Sequence, residues 1–514
     1  MSGLATTDSR PILSRPPLAF WILFVAATFY FTANINQLSL LPGDDCYYAR
    51  KGVEMLEHGD FFTVTWNGKP TFQNPPLHFW ILARSFEFFG ENDFSARLPT
   101  VLMALGLLVI TWRIGLRTVG QTSAIGGVGI LLVTPLYLEF SRRCMMEIPN
   151  AFWVSLVILL FLEGYRKPQI WLLLSAPLAG ALLTKSLLGL MPVGVAVIAS
   201  LLVRSLRPAL YSRWFWAGIG LGVLGGAAWP LHQGWTSGWH AVKAHYVGEI
   251  GARAAGVGGD SSTGIAPALW GFFVGYPSIL MKRFQPVLIP GLVGTAAALV
   301  QYWKGNRWRD LTVEPPIVRD PPAQPAPGGA EVSPDGPVLL AVWVMLPMLL
   351  FSFSAARSAR YLFPLLLPLA LLGAWVVADQ LSPSIRKKLF WLVPVLLAVT
   401  GSAFWISPEK LTRDLDAPFK DDSLRLASLL PAGTDIPLLG KHSWGLANPL
   451  LYYGKHAPGP TVNKVSAAIR AVERLPRPVL VVEAERLNDL QASRRNFVEI
   501  SHLRSWVVVE FQRE

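Results

Sequence analysis

The sequence predicts a polytopic α-helical membrane protein of about 11 or more spans, carrying a small C-terminal α/β domain outside the bilayer. Three observations predict it. The 514 residues are 52% hydrophobic with a mean hydropathy of +0.40, and 15% are charged, against the ~25% of soluble domains. Apolar runs of about the 20 residues that a hydrocarbon core requires recur along the chain. Lysine and arginine gather in alternate loops, as cytoplasmic loops do, so the formal net charge of +12 needs no nucleic-acid partner to explain it.

The apolar segments fall near 17–34, 99–116, 122–140, 149–164, 169–184, 187–203, 214–231, 284–303, 338–354, 361–379 and 389–406. No small-residue cleavage site follows the first, which reads as a retained helix. Loops holding Arg10 and Arg15, Arg113 and Arg117, Arg166 and Lys167, Arg204 to Arg213, Lys304 to Arg309, and Arg386 to Lys388 are expected on the cytoplasmic side. The odd number of spans then places the C-terminal tail outside. Segment 313–337, rich in Pro and Gly, reads as a disordered cytoplasmic loop. Beyond 406 the long apolar runs stop. Strand-like Ile436–Gly440, Pro478–Glu483 and Trp506–Phe511 flank helix-like Lys464–Arg474, so two domains are expected, 1–406 and 407–514.

The opposite face collects acids and bases from five loops. These are Asp44 and Asp45 after the first span, Arg142, Arg143 and Glu147 after the third, and Lys185 after the fifth. His240, Lys243 and His245 follow the seventh, and Arg357 and Arg360 the ninth. Carboxylates this near a bilayer are costly to desolvate, which marks them as functional candidates. Each has a plainer reading: the acids as structural ion pairs to Arg142 or Arg143, the bases as lipid-headgroup anchors. Their convergence favours a shared site for a ligand with an anionic head and a greasy tail. A transporter of an anionic lipid is the rival class, but it would show internal repeats and charges near the midplane.

Several chemistries lack support. No HExxH, GxSxG, CxxC, GxxxxGK[ST] or strand-flanked GxGxxG occurs, and the histidines lack metal-ligand spacing. Cys46 and Cys144 both fall on the outer face, open to pairing there or to remaining as small buried thiols, the favoured reading.

In order, the chain carries the acid pair, ARKGVEML, GDFFTVTWNGKPTFQNPPLHFW, FGENDFSARLPT, SRRCMMEIPNAF, LLTKSLLGLMP and FSFSAARSARYLFPLLLPLALL. Over roughly residues 15–380 this resembles the polyprenyl-phosphate-dependent GT-C glycosyltransferases. The likeness is greatest to the bacterial aminoarabinose transferases of lipid A modification and the protein O-mannosyltransferase-like enzymes. It implies a GT-C-like fold and transfer of a sugar from a polyprenyl-phosphate donor to a lipid A, other glycan or protein acceptor, at the outer face of the bacterial cytoplasmic membrane.

The resemblance assigns roles residue by residue. Asp44 maps to the general base or acceptor-positioning acid, and Asp45 stands where the relatives usually carry Glu. Glu147 maps to an acid of the second outer loop that is more often Asp. Lys185 occupies the place of a TKG lysine facing the donor phosphate, with Ser186 for the glycine. Arg357, Arg360 and Tyr361 fall in a basic RY segment, and Tyr48 and His245 join as further substrate contacts. Gln73-Asn74 stands where aminoarabinose transferases resemble Glu-Lys. That change weakens any divalent-metal site, so no cofactor is expected to be required, and either donor specificity differs or another basic residue, such as Lys69, supplies the missing phosphate contact.

Overall fold

The computed structural model describes residues 16–36, 39–243, 246, 270–309, 335–352, 358–378, 380–406, 417–429, 436–440, 443–493, 495–503 and 506–512. Of the expected loop 313–337, residues 313–334 lie outside these residues, as does the domain boundary at 407, while Gly336 and Pro337 already open a helix.

Every apolar segment expected to span is helical. The first is α1 (Leu18–Thr32). An excursion from the bundle follows, made of α2 (Asp44–His58), strands β1 (Thr65–Trp66) and β2 (Lys69–Pro70), and α3 (Leu77–Phe89). The chain then threads α4 (Asp93–Thr118), α5 (Gln121–Leu132), the short α6 (Pro135–Phe140), α7 (Glu147–Glu163), α8 (Ser175–Lys185), α9 (Met191–Leu202) and α10 (Arg213–Thr236). After α11 (Trp239–Lys243) come α12 (Tyr276–Arg283), α13 (Leu288–Arg309), α14 (Gly336–Ser352), α15 (Leu366–Ala378) and α16 (Pro383–Ile406). Among the described residues, five helical segments are long and apolar enough to cross a membrane by length and composition. The span expected over 122–140 is broken where Pro135 starts α6.

Small residues set the helix spacing in the bundle. At Gly291 and Gly294 of α13 a Cβ would come within 2.8 and 2.4 Å of Leu369 and Leu372 of α15, so the two backbones meet directly. At one end of the bundle Arg117 of α4 forks onto Glu163 of α7 at 2.9 and 3.0 Å. The excursion 39–92 and the C-terminal sheet gather at the other end.

Two buried arginines hold the arm that leaves α1. Arg142 donates to the Tyr30 and Ala33 carbonyls and lies 4.1 Å over the Phe404 ring. Arg97, one turn into α4, donates to the Ile35 carbonyl at 2.8 Å and the Ser39 carbonyl at 2.6 Å. These orphan helix-end and loop carbonyls would otherwise be left dry. The outer hairpin turns on Asn67-Gly68, with φ of +53° and +68° as a two-residue turn needs. Glu54 of α2 accepts both turn amides, at 2.7 and 3.2 Å.

The C-terminal region adds α17 (Ala417–Leu429), β3 (Ile436–Leu439), α18 (Ser443–Tyr452), β4 (Pro458–Val462), α19 (Val465–Val472), β5 (Val479–Glu483), α20 (Leu487–Gln491), β6 (Phe497–His502) and β7 (Trp506–Phe511). The sheet order is β4-β3-β5-β7-β6, parallel on the β4-β3-β5 side and antiparallel across β5-β7-β6. Alternation of side chains gives it two apolar faces. Leu438, Val481 and Val508 pack under α18 on one, and Leu439, Val482 and Val507 pack under α19 on the other. Strands β4 and β6 were not foreseen, because β4 is Pro458-Gly459-Pro460 at its start and β6 is largely exposed.

The turn between α8 and α9 places Lys185. Ser186 there adopts φ +53°, ψ −136°, a region that glycine occupies and a Cβ strains, at ~1–3 kcal/mol. Ser186→Gly is therefore expected to unfold at higher temperature in detergent than Ser186→Ala, which keeps the Cβ. A glycine variant melting at or below the alanine variant would show that no strain resides there.

Candidate active site

Two helix starts, one helix end and a 3-10 turn build the site. Asp44 and Asp45 open α2 immediately after Gly43, whose φ of +94° turns the arm into the helix. Glu147 opens α7 in the same way. Carboxylates in a first helical turn are favoured by the unpaired amides there. Lys185 closes α8, where the exposed carbonyls favour a cation. Arg360 lies in the 3-10 turn Ala359–Leu365 that leads into α15.

Neighbouring residues on a helix point about 100° apart, so the two aspartates take different partners. Asp44 ion-pairs with Arg360. Asp45 is fully buried and takes Arg143 Nη2 at 3.1 Å and Nε at 3.3 Å. Glu147 receives Lys185 Nζ on Oε1 at 3.2 Å, while its buried Oε2 has no partner among the described residues. Each acid is thus neutralised by a cation from a different part of the chain. Arg142, weighed beside Arg143 as an acid's partner, serves the carbonyls described above instead.

Tyr48, one turn beyond Asp44, ties the group together. Burial pushes its hydroxyl well above the ordinary tyrosine range, and the nearby charges of Asp44 and Glu147 push it further, against Arg360. Tyr48, Asp44, Glu147 and Arg360 are therefore close enough to feel one another's charge. Tyr361 stacks on Phe351 at 5.8 Å. Lys69 stands exposed on β2, and among the described residues no ion pair joins it to the acids. Arg357 and His245 lie outside the described residues. Cys46 and Cys144 are free and buried.

Three polar residues that the sequence reading passed over border this group. Lys51 of α2 is wholly buried, its ammonium 3.9 Å from the centre of the Tyr47 ring and 3.4 Å from Asn74 Oδ1. Asn150, one turn after Glu147 on α7, has a buried Oδ1 with no partner among the described residues. His78 meets Tyr48 edge-on at 6.0 Å, its Nε2 buried and equally unmatched. Single polar letters in a mostly apolar stretch gave little signal beforehand.

The donor set does not suit a divalent ion. Among the described residues no three carboxylate, imidazole or thiolate side chains come together as a metal site. Gln73 is neutral, and its Oε1 accepts the Tyr47 hydroxyl at 2.9 Å.

Known proteins resemble this chain in sequence and in fold. The family model for dolichyl-phosphate-mannose-protein mannosyltransferase matches residues 73–229. The undecaprenyl phosphate-alpha-4-amino-4-deoxy-L-arabinose arabinosyl transferase of Pseudomonas aeruginosa is 26% identical over 379 residues, 70% of this chain and 60% of that protein. The chain spans 43% to 61% of the length of the first curated relatives it matches. Among solved structures, ArnT from Cupriavidus metallidurans bound to undecaprenyl phosphate superposes with a TM-score of 0.70 at 18% identity, covering 96% of this chain and 98% of that one. The Archaeoglobus fulgidus oligosaccharyltransferase AglB, in complex with an inhibitory peptide and a dolichol-phosphate, superposes at 0.55 and 11% identity, covering 96% and 74%. The chain has the GT-C fold of ArnT and is similar in sequence to the aminoarabinose transferases and, over residues 73–229, to the mannosyltransferase family.

Burial alone lowers the His78 pKa to about 3, so the ring is neutral in the fold. The unfolded chain takes up that proton first, below about pH 6.5. Stability is then full above pH 7 and is lost as pH falls from about 6.5, at up to ~1.4 kcal/mol per pH unit. Between pH 6.5 and 5 the melting temperature of His78→Phe is expected to fall less than that of the wild type. Parallel profiles would show that His78 is protonated in the fold.

Proposed function

We propose that the chain is a membrane glycosyltransferase that moves a sugar from a polyprenyl-phosphate donor to a lipid A, other envelope glycan or protein acceptor. The reaction is assigned to the outer face of the bacterial cytoplasmic membrane, with residues 407–514 forming an extracytoplasmic domain beside it. What carries the reading is the convergence of Asp44, Tyr48, Glu147, Lys185 and Arg360, from four separate parts of the chain, on one end of an apolar bundle. The fold, and relatives named for such donors, support the same reading.

In this proposal the acceptor hydroxyl attacks the anomeric carbon of the donor sugar. The acceptor O–C bond forms as the C–O bond to phosphate breaks, and the phosphate oxygen keeps the electron pair. Asp44 takes the acceptor proton through its carboxylate, and Glu147 presents its unmatched oxygen to a donor group of the acceptor or the sugar. Arg360 and Lys185, with Arg357 and Lys69 as further candidates, meet the negative charge that grows on the phosphate. Cations fixed at low dielectric stabilise such charge far better than water-exposed ones. Tyr48, Tyr361 and His245 are kept as candidate substrate contacts.

Asp44→Asn keeps the size of the side chain but cannot accept the proton. Donor binding is expected to survive while transfer from a synthetic polyprenyl-phosphate sugar falls by about 10² or more. Equal transfer by both proteins would remove Asp44 from the role of base. Absence of transfer by the wild type with every donor offered would put the lipid transporter ahead.

A further inference from the structure

The C-terminal domain reaches into the arm that carries Asp44. Tyr453, just past the end of α18, places its hydroxyl between two groups of the membrane part. It donates to Asp93 Oδ1 at 2.6 Å and accepts the Leu40 amide at 2.6 Å. Asp93, the first residue of α4, is buried, and its other oxygen takes Lys420 of α17 at 2.7 Å. One turn along α4, Arg97 holds the Ile35 and Ser39 carbonyls. Ile35, Ser39 and Leu40 of the arm are therefore held from both sides. Arg97 grips two carbonyls, and Tyr453 grips the amide only four residues ahead of Asp44.

Between Leu40 and Asp44 lie Leu41, Pro42 and Gly43, a proline and a turning glycine that leave little slack. The start of α2 also packs on this part of the domain, since Cys46, Ala49 and Val53 share an apolar cluster with Tyr452. Trp66 of the hairpin donates to Asn448 Oδ1 of α18 at 3.0 Å, a second tie between the excursion and the domain.

We propose that Tyr453 is a positioning residue for Asp44, acting through the Leu40 amide, so that the docked C-terminal domain sets the geometry of proton removal. The inference rests on the transferase reading above, because it needs Asp44 to be the reacting acid. A displacement of about 1 Å at a reacting group costs as much as 10²-fold in rate. Losing the hydroxyl that spans amide and carboxylate removes the tie that lies nearest to Asp44 on this arm.

The test uses the full chain in nanodiscs and compares wild type, Tyr453→Phe and Lys420→Met. Tyr453→Phe keeps the ring and removes only the bridging oxygen. Lys420→Met removes the other partner of Asp93 and leaves the bridge to Leu40. Tyr453→Phe is expected to lower kcat by at least about ten-fold with donor KM within roughly two-fold of wild type. It should also speed amide hydrogen exchange over residues 39–46, with strands β5 and β7 protected as before. Lys420→Met should leave exchange over 39–46 near wild type. Wild-type kcat in Tyr453→Phe, or a slowed kcat with unchanged exchange over 39–46, would overturn the proposal. So would loosening of the whole sheet, which marks a purely structural bond. The exchange readout needs no activity, so failure of the transferase reading, seen as no transfer by wild type, remains distinguishable from failure of this one.

Discussion

The organisation of this chain depends on one electrostatic constraint: carboxylates brought to the edge of an apolar bundle must meet cations from somewhere else in the sequence. Asp45 shows the constraint at its most severe. Its side chain is fully buried, and removing its partner Arg143 would strand a charge at a cost of ~3–5 kcal/mol. That pair joins the first outer turn of the chain to the α6–α7 connection, 98 residues later. The pairs Asp44–Arg360 and Glu147–Lys185 repeat the pattern over 316 and 38 residues. Desolvation thus acts as a folding instruction, because the ion pairs can form only when the helix ends that carry them have been brought together.

A second layer of polar contacts fixes where the arm runs before it reaches those pairs. Arg142 and Arg97 spend their guanidinium donors on backbone carbonyls between Tyr30 and Ser39, and not on acids. A guanidinium presents a rigid fork of donors, which suits a stretch of chain with no helix or sheet to satisfy it. The same economy appears at Glu54, whose carboxylate holds the amides of Asn67 and Gly68 and so shapes the hairpin that touches the C-terminal sheet. Polar side chains that look like candidate catalysts in a membrane sequence are here divided between ion pairs at the candidate site and backbone support.

That division explains how much was legible beforehand. Hydrophobic length gives the spanning helices directly, because a backbone in lipid has few other ways to satisfy its hydrogen bonds. Strands β3, β5 and β7 are readable because their faces are buried and their residues β-branched, whereas β4 and β6 lack that pattern. Asp44, Asp45, Glu147, Lys185 and Arg360 stand out as charges at span ends. Which acid meets which cation was not readable, since a register of one residue on α2 exchanges Arg360 for Arg143. Asp93, Lys51, His78 and Tyr453 were passed over for a related reason. Each is an ordinary letter locally, and its role arises only from a partner tens to hundreds of residues away.

Charge conservation links the resting pairs to the proposed reaction. A donor phosphodiester carries one negative charge, and the phosphate monoester released by transfer carries up to two. If Asp44 accepts the acceptor proton, it loses its charge as the phosphate gains one. Arg360, the partner of Asp44 in the fold, is then left without an anion at the moment a new one develops beside it. No net charge enters or leaves the site, so little solvent must reorganise, and a guanidinium on a short turn need only change its angle. Lys185 differs, since Glu147 keeps its charge on this reading and its second oxygen is unmatched among the described residues. A pairing that is purely structural in the resting chain becomes, on this reading, the store of positive charge from which the phosphate is served.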